Sequence, residues 1–200
     1  MAFEKETVQS NVESVPILSP VKLAHVVFRS TRLQEMVQFY QKLLGAHVAF
    51  QNNMAAFLAY DDEHHRIGIL AVPEGLFANQ PSIVPTIDHV AFTYNNLDDL
   101  AISYEQRKAA GLKPVWCVNH GSTTSMYYDD PDGNKVEMQV DNFETMEEAF
   151  AFTNSEAFHI NPIGTDFDPD EFVQRVRSGE DHRLIKKRVE IGPRKFPGVS

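Results

Sequence analysis

The feature that most constrains this chain is an internal repeat with an offset of 64 residues. The segment Leu-Ala-His-Val-Val-Phe at residues 23–28 returns as Ile-Asp-His-Val-Ala-Phe at residues 87–92, and each copy is followed by an amphipathic helix pattern. Such self-similarity indicates an internal duplication, in which two equivalent modules pack together. The duplication would place His25 and His89 at equivalent points of the two modules.

The pattern after each histidine predicts how the chain is divided. A strand pattern is followed by a helix pattern and three further strand patterns, with Gly45 and Gly111 where the two helices should end. In the first copy, Ser30 or Thr31 is the expected helix cap. We therefore expect an N-terminal arm over residues 1–20, a first βαβββ module over 21–75, a second over 86–140, and a C-terminal extension with short helices over 141–200.

The extension lies outside the repeat. Helix patterns cover residues 144–152 and 169–177, the second with Asp168 as its N-cap and Pro169 at its first position. We interpret the basic residues that follow as a solvated surface, because charge clusters usually face water: Arg183, Lys186, Lys187, Arg188, Arg194 and Lys195. Whether the extension covers a pocket or bridges subunits is left open by the sequence.

The composition favours a protein that acts on a small molecule. The formal net charge of -10 disfavours binding to nucleic acid or to an anionic membrane, both of which call for a basic surface. No apolar run approaches the length of a membrane-spanning helix, and the N-terminal segment lacks the apolar core of a signal peptide. The single cysteine, Cys117, excludes an intramolecular disulfide and suits a reducing compartment. We therefore expect a cytoplasmic protein.

The repeated histidines predict a shared metal. Glu137 is an acidic residue inside an otherwise apolar strand pattern, and a buried carboxylate needs a partner or a metal. When the strand that follows each acidic turn is laid on its counterpart, Gly68 aligns with Glu137, so three protein ligands rather than four reach the metal. Two imidazoles and one carboxylate hold Fe(II) and leave positions for substrate and oxygen. For each histidine taken alone, a hydrogen-bonded core histidine is the alternative.

A resemblance to a known family adds to this interpretation. The two strand-helix-strand-strand-strand units, the strand histidines and the segment Ser-Met-Tyr-Tyr-Asp-Asp-Pro-Asp-Gly-Asn-Lys-Val-Glu at residues 125–137 resemble the vicinal oxygen chelate superfamily. Over residues 21–140 the chain is most similar to single-domain type I extradiol dioxygenases, and residues 161–164 and 167–171 also resemble that group. The resemblance implies an α+β fold with one curved mixed sheet around a metal, and a homodimer or higher homo-oligomer.

The resemblance also implies roles for individual residues. The ligands of Fe(II) would be His25, His89 and Glu137. Of the pair His64 and His65, the second would be the acid/base, because a histidine near its neutral-pH pKa can take a proton from a catechol and return it. Tyr127 would donate a hydrogen bond to a ring oxygen, and His120 would lie on the substrate side.

The sequence therefore favours an Fe(II)-dependent extradiol dioxygenase that acts with O2 on a catechol-like or biphenyl-diol aromatic. One alternative is another metal enzyme of the same superfamily, either a dioxygenase for a non-catechol natural product or a glyoxalase-like lyase or isomerase. Gly68 argues against the glyoxalase-like branch, which generally uses a fourth protein ligand. A non-catalytic binding or resistance protein is a third possibility, although such a protein needs no ligand triad.

Overall fold

Two sheets, one from each half of the repeat, form the framework of the protein. The computed structural model describes residues 22–73 and 87–194. The N-terminal arm expected over residues 1–20, the whole segment 76–85 between the modules, and Lys195 of the basic run lie outside the described residues. The division into domains stays a prediction, but the elements of both βαβββ modules are present.

The first module forms a four-stranded sheet in the order β1-β4-β3-β2, with β1 and β4 parallel and the other neighbours antiparallel. Its helix ends at Gly45 as predicted, because the φ of 64° there is a left-handed conformation that glycine adopts without strain. The expected side-chain cap is absent; Arg32 is the N-cap residue and makes no such bond. The elements are β1 (Val26–Ser30), α1 (Leu33–Leu44), β2 (His47–Gln51), β3 (Ala55–Ala59) and β4 (Ile67–Ala71).

The second module repeats this order and adds one short strand from the extension. Its sheet runs β5-β8-β7-β6-β9, again with the first pair parallel. Asn96 caps the helix by accepting a hydrogen bond from the Asp99 backbone N–H. The elements are β5 (His89–Thr93), α2 (Leu97–Ala109), β6 (Trp116–Asn119), β7 (Thr123–Asp129), β8 (Lys135–Asp141) and β9 (Thr165–Asp166).

The α+β class with two βαβββ modules is confirmed, with one difference from the expected sheet. The strands are hydrogen-bonded in two separate sheets instead of one continuous sheet, because β1 and β5 each form an edge of their own sheet. The register repeats faithfully: Val27 lies opposite Gly68 in the first sheet, and Ala91 lies opposite Glu137 in the second. The alignment of Gly68 with Glu137 therefore holds in three dimensions.

A single hydrophobic core joins the modules. Residues of both helices and of both sheets belong to one buried cluster, which Val26 and Phe28 contact from β1 and Phe92 from β5. Arg107 of α2, only 3% exposed, links the helices by donating a hydrogen bond of 2.8 Å to the Leu43 carbonyl at the end of α1. Since side chains alternate along a strand, those preceding and following the core-facing residues point away from this core.

The C-terminal extension packs on the second sheet. The helix predicted over residues 169–177 is confirmed, and Asp168 accepts hydrogen bonds from the first turn as predicted. The other predicted helix begins two residues later than expected, after a capping box at Thr145. The helices are α3 (Met146–Thr153), α4 (Glu156–Ile160), α5 (Pro169–Arg177) and α6 (His182–Lys186).

The prediction that the basic run is solvated is wrong at Arg188, whose side chain is 1% exposed. Arg188 follows the buried Ile185 by three residues, but the sequence does not indicate the backbone carbonyl groups that surround its guanidinium. Across residues 22–73 and 87–194, no helix combines the length and apolar character that crossing a membrane requires.

Candidate active site

The second module places a histidine against a buried carboxylate. Because β5 and β8 are parallel neighbours, the side chains of His89 and Glu137 leave the sheet on one face, and His89 Nε2 lies 3.0 Å from Glu137 Oε2. Glu137 is 4% exposed, whereas the His89 side chain is 34% exposed. The other ring nitrogen, Nδ1, lies 2.8 Å from Asp88 Oδ2. A carboxylate at this second nitrogen fixes the orientation of the imidazole ring.

Tyr127 and His120 extend this group across the sheet. Tyr127 lies directly opposite Glu137 on β7, and its ring meets that of His89 edge to face at 5.5 Å between centroids. The Tyr127 hydroxyl is 3.0 Å from His120 Nε2. Trp116 on β6 stacks on the Tyr127 ring at 4.9 Å. We call His89, Glu137, Tyr127 and His120 the second-module group.

Burial sets the protonation of this group. Burial, followed by the charge of Glu137, raises the pKa of Tyr127 well above its ordinary value, so the phenol keeps its proton. Burial lowers the pKa of His120, which favours the neutral imidazole. His120 Nδ1 contacts the Ile163 carbonyl, which can only accept, so Nδ1 carries the proton and Nε2 accepts from the Tyr127 hydroxyl.

The first module gathers three imidazoles. The ligand atoms of His25, His64 and His65 lie within 4.8 Å of one another. The His25 and His65 rings stack at 4.4 Å, and the two Nδ1 atoms of His64 and His65 are 2.5 Å apart. Burial, followed by the nearby His25, lowers the pKa of His65. We call these three residues the first-module group; imidazole nitrogens of this kind can hold a divalent transition metal.

The predicted triad is therefore divided between the two groups. Among residues 22–73 and 87–194, the first-module group is the one set of three or more potential ligands that meets the 4.8 Å spacing, and it contains His25 without His89 or Glu137. The cause lies in the packing: His25 precedes the core-facing Val26 and His89 precedes Val90, so each imidazole points away from the common core on its own sheet.

The chemical character of the donors fits a ferrous ion. The pair His89 and Glu137 supplies one nitrogen and one buried carboxylate, and His25 would complete a set of two imidazoles and one carboxylate. Gly68 offers no ligand at the equivalent place in the first sheet. The pair has no cation among the described residues to neutralise Glu137 apart from a protonated histidine, which is the situation that a metal relieves.

Sequence reasoning missed three contributors to the site. Trp116 supports Tyr127, Ile163 binds His120, and Arg188 holds the loop after β6. The only signal for Trp116 was its place on a strand that pairs with the one carrying Tyr127. The segment at residues 161–164 resembled the extradiol group, but nothing in the local sequence indicated which residues Ile163 and Arg188 contact, because their partners lie more than 40 positions away.

Comparison with known proteins places the chain among dioxygenases. It is 40% identical over 158 residues to biphenyl-2,3-diol 1,2-dioxygenase 2 of Rhodococcus globerulus, which covers 79% of this chain and 83% of the relative. It is 39% identical over 168 residues to biphenyl-2,3-diol 1,2-dioxygenase 3 of the same organism, which covers 84% and 88%. These relatives confirm the predicted enzyme class, an oxidoreductase of the dioxygenase type.

Two further comparisons are with a solved structure and with a family model. The crystal structure of the fosfomycin resistance protein FosX from Listeria monocytogenes aligns with 68% of this chain and 100% of its own, with a TM-score of 0.49 and 19% identity. The family model described as Glyoxalase/Bleomycin resistance protein/Dioxygenase superfamily matches residues 22–138, which hold both modules. With this match and the identity to the two dioxygenases, the chain belongs to the Glyoxalase/Bleomycin resistance protein/Dioxygenase superfamily.

Proposed function

We propose that this protein is an Fe(II)-dependent extradiol dioxygenase, which opens a catechol-like or biphenyl-diol ring beside its hydroxyl groups with O2. The observation that carries the proposal is the second-module group, in which a buried carboxylate and an imidazole adjoin a protonated tyrosine and a neutral histidine. The two relatives are named for biphenyl-2,3-diol, which supports an aromatic diol as the substrate class.

The iron would be held by His25, His89 and Glu137. When bound, a ferrous ion supplies a common centre at which the diol and O2 meet in neighbouring positions, so that orientation and charge stabilisation come together. Asp88 keeps the His89 ring oriented through its Nδ1 atom, so that Nε2, which lies beside Glu137, would be the atom that binds the metal.

The remaining residues of the site handle the substrate and its protons. When a diol is bound, the Tyr127 hydroxyl, which burial keeps protonated, turns from His120 to donate its hydrogen bond to a ring oxygen without adding charge, and this frees the His120 Nε2 lone pair. His120 is neutral and its Nε2 lone pair can accept a proton, and His65 is the second acid/base. Trp116 lies against the Tyr127 ring and adds apolar surface for the aromatic body.

A homodimer reconciles the divided triad with a single metal. The face of the first sheet that carries His25 also exposes apolar side chains: Val27 is 44% exposed, Leu70 38% and Phe50 48%. Exposed apolar surface of this kind marks interaction sites. We propose that this face covers the second-module group of another copy, so that His25 and His65 of one protomer complete the site of its partner.

The duplication allows one two-fold axis to pair both sets of sheets. The two modules have the same register, so a two-fold axis that brings the first sheet of one protomer to the second sheet of its partner does the same for the other two sheets. The receiving surface is open, since His89, Ala91 and Thr93 are exposed along β5. Two equivalent metal sites would result.

Oxygen consumption tests the activity directly. The full chain is reconstituted anaerobically with Fe(II) and then given air with 2,3-dihydroxybiphenyl or substituted catechols, and O2 uptake is followed together with the coloured ring-opened product. We expect uptake matched by product with iron and none with zinc. No uptake across the panel would refute the proposal, and turnover without O2 by a zinc- or nickel-loaded protein would favour a lyase or isomerase.

The cellular location follows from the same chemistry. A single buried cysteine suits a reducing compartment, and ferrous iron is also retained in its reduced state there. We propose the cytoplasm, with a small aromatic diol and O2 as the partners of the site.

A further inference from the structure

Arg188 is an arginine buried in the C-terminal extension. Its side chain, 1% exposed, donates hydrogen bonds to three backbone carbonyls, those of His120 at 3.1 Å, Asn161 at 2.7 Å and Ala157 at 3.1 Å. The guanidinium also makes a two-pronged contact with Glu190, at 3.0 and 2.9 Å. A planar group with five donors in fixed directions is suited to tying three segments of chain together.

The segment at residues 161–164 is held equally firmly. Asn161, fully buried, accepts hydrogen bonds from the backbone N–H groups of Ile163 and Gly164 and donates one to the Gly164 carbonyl. A Cβ atom at Gly164 would come within 2.2 Å of the Asn119 carbonyl oxygen, so this turn lies directly on the end of β6. The turn has little room to move, and it presents the Ile163 carbonyl to His120.

That carbonyl determines which nitrogen of His120 carries the proton. A neutral imidazole has one donor and one acceptor nitrogen, and a carbonyl partner at Nδ1 requires the donor there. Nε2 is then the acceptor and faces the Tyr127 hydroxyl at 3.0 Å. In the other tautomer, Nε2–H would donate a hydrogen bond to the Tyr127 hydroxyl oxygen. The Tyr127 hydroxyl would then have to donate its own proton to a group other than His120.

We propose that Arg188 is a positioning residue: with the turn at residues 161–164, it fixes His120 in the Nδ1–H form with Nε2 against Tyr127. Arg188 contacts the His120 backbone and the carbonyl of Asn161, on the two sides of the contact between His120 and Ile163. The extension thus forms a wall of the active site. The catalytic consequence rests on the proposed function, but the tautomer does not.

The tautomer can be read by NMR. Long-range proton–nitrogen spectra of the ¹⁵N-labelled full chain, prepared without iron, distinguish a protonated ring nitrogen from an unprotonated one. We expect a protonated Nδ1 at His120 in the wild type, and a shift toward mixed tautomers in Arg188→Gln. Arg183→Gln is the matched control, because that side chain is 86% exposed and pairs with Asp181 alone among the described residues. It should leave the His120 signals unchanged.

A second variant covers the case in which Arg188→Gln does not fold. Glu190→Gln removes the charge that orients the guanidinium, at a side chain that is 50% exposed, and should move the His120 signals in the same direction by less. Wild-type protein with a protonated Nε2, or variants that fold and keep the wild-type tautomer, would overturn the proposal.

Kinetics separate positioning from simple stability. In iron-loaded enzyme, Arg188→Lys or Glu190→Gln should lower kcat on the order of 10-fold, because a misplaced catalytic group costs rate at the chemical step. KM should change by less than about twofold, since none of the side chains that bind the diol or iron is substituted. Equal loss of kcat and of folded fraction, with the His120 tautomer unchanged, would indicate a merely structural role. If the wild type shows no dioxygenase activity, the NMR result still decides the positioning claim.

Discussion

Gly68 and Glu137 occupy the same register position in the two sheets, opposite Val27 and Ala91 respectively. In the proposed site, the duplicated scaffold therefore has a ligand position that is filled in only one of its halves. A metal at the proposed site would have at most three protein ligands from the duplicated positions, which would leave places for a diol and O2. An asymmetric duplication of this kind favours a reactive site over a closed structural one.

Removing the charge of Glu137 should abolish tight iron binding. In Glu137→Gln the side chain keeps its volume at a buried position but loses the anionic oxygen next to His89. Even groups outside the ligand shell change metal affinity about 10- to 100-fold, so we expect at least a tenfold loss by metal analysis after dialysis. Glu105→Gln, at an exposed pair with Arg177, is the control. Stoichiometric iron in Glu137→Gln would mean that this carboxylate is not a ligand.

Removing one hydroxyl at Tyr127 should slow turnover without disturbing the fold. Tyr127→Phe keeps the ring that stacks on Trp116 and loses the contact with His120. A hydrogen bond to a charged or developing charged group contributes about 1.5–3 kcal/mol, so we expect kcat to fall about 10- to 100-fold. Tyr128→Phe is the matched control, because that hydroxyl finds no hydrogen-bond partner in the described part of the chain. Equal kcat values for both variants would remove Tyr127 from the mechanism.

Acid should destabilise the protein partly through His120. Burial lowers the pKa of His120 below its ordinary value, near 6.5 in an unfolded chain. As the pH falls below about 6.5 the unfolded chain takes up a proton that the folded chain does not, so the free energy of unfolding decreases until the folded pKa is reached. Above about pH 6.5 the effect is absent, because neither the folded nor the unfolded chain then binds this proton.

Denaturant unfolding between pH 7.5 and 5 measures this contribution. His120→Gln should give a shallower dependence of the unfolding free energy on pH than the wild type. His47→Gln, at an exposed histidine, is the control substitution. A slope that is identical in all three proteins would show that His120 titrates normally when folded.

Arg107 should be a main contributor to the packing of the modules. It is buried, donates to the Leu43 carbonyl and to Ser103, and lies near the Tyr94 and Tyr128 rings. Arg107→Met would leave these acceptors without a partner, at a cost of about 2–4 kcal/mol in the free energy of unfolding. Arg177→Met, at an exposed pair, should cost no more than about 1 kcal/mol. Similar losses in the two variants would contradict a special role for Arg107.

The parts of the structure that depend on local pattern were predictable from the sequence. Gly45 ended the first helix, Asp168 and Pro169 began α5, and laying the strands that follow the two acidic turns on each other aligned Gly68 with Glu137. Helix ends and strand registers of this kind follow from short-range backbone chemistry. Cys117, which the sequence showed to be unable to form an intramolecular disulfide, is buried, and burial raises the pKa of its thiol to about 12.

The parts that depend on long-range packing were not predictable. The sequence predicted that His25 lies with His89 and Glu137. In the structure of a single protomer, His25 lies with His64 and His65 instead. Alternation tells which residues share a face of a strand, but it does not say which other sheet, or which other chain, lies against that face. Arg188 likewise became a buried residue through carbonyls that a charge pattern does not reveal.

Mixing two inactive variants tests the shared site most directly. His25→Ala and His89→Ala should each be inactive alone, since each removes one iron ligand from every site. In a mixed dimer with sites built from two protomers, one site carries both lesions and the other carries neither. Co-expression should therefore restore about a quarter of wild-type O2 uptake, from half the dimers with one of two sites intact. Uptake no higher than that of either variant alone would contradict the account, because it would mean that no site is shared between chains.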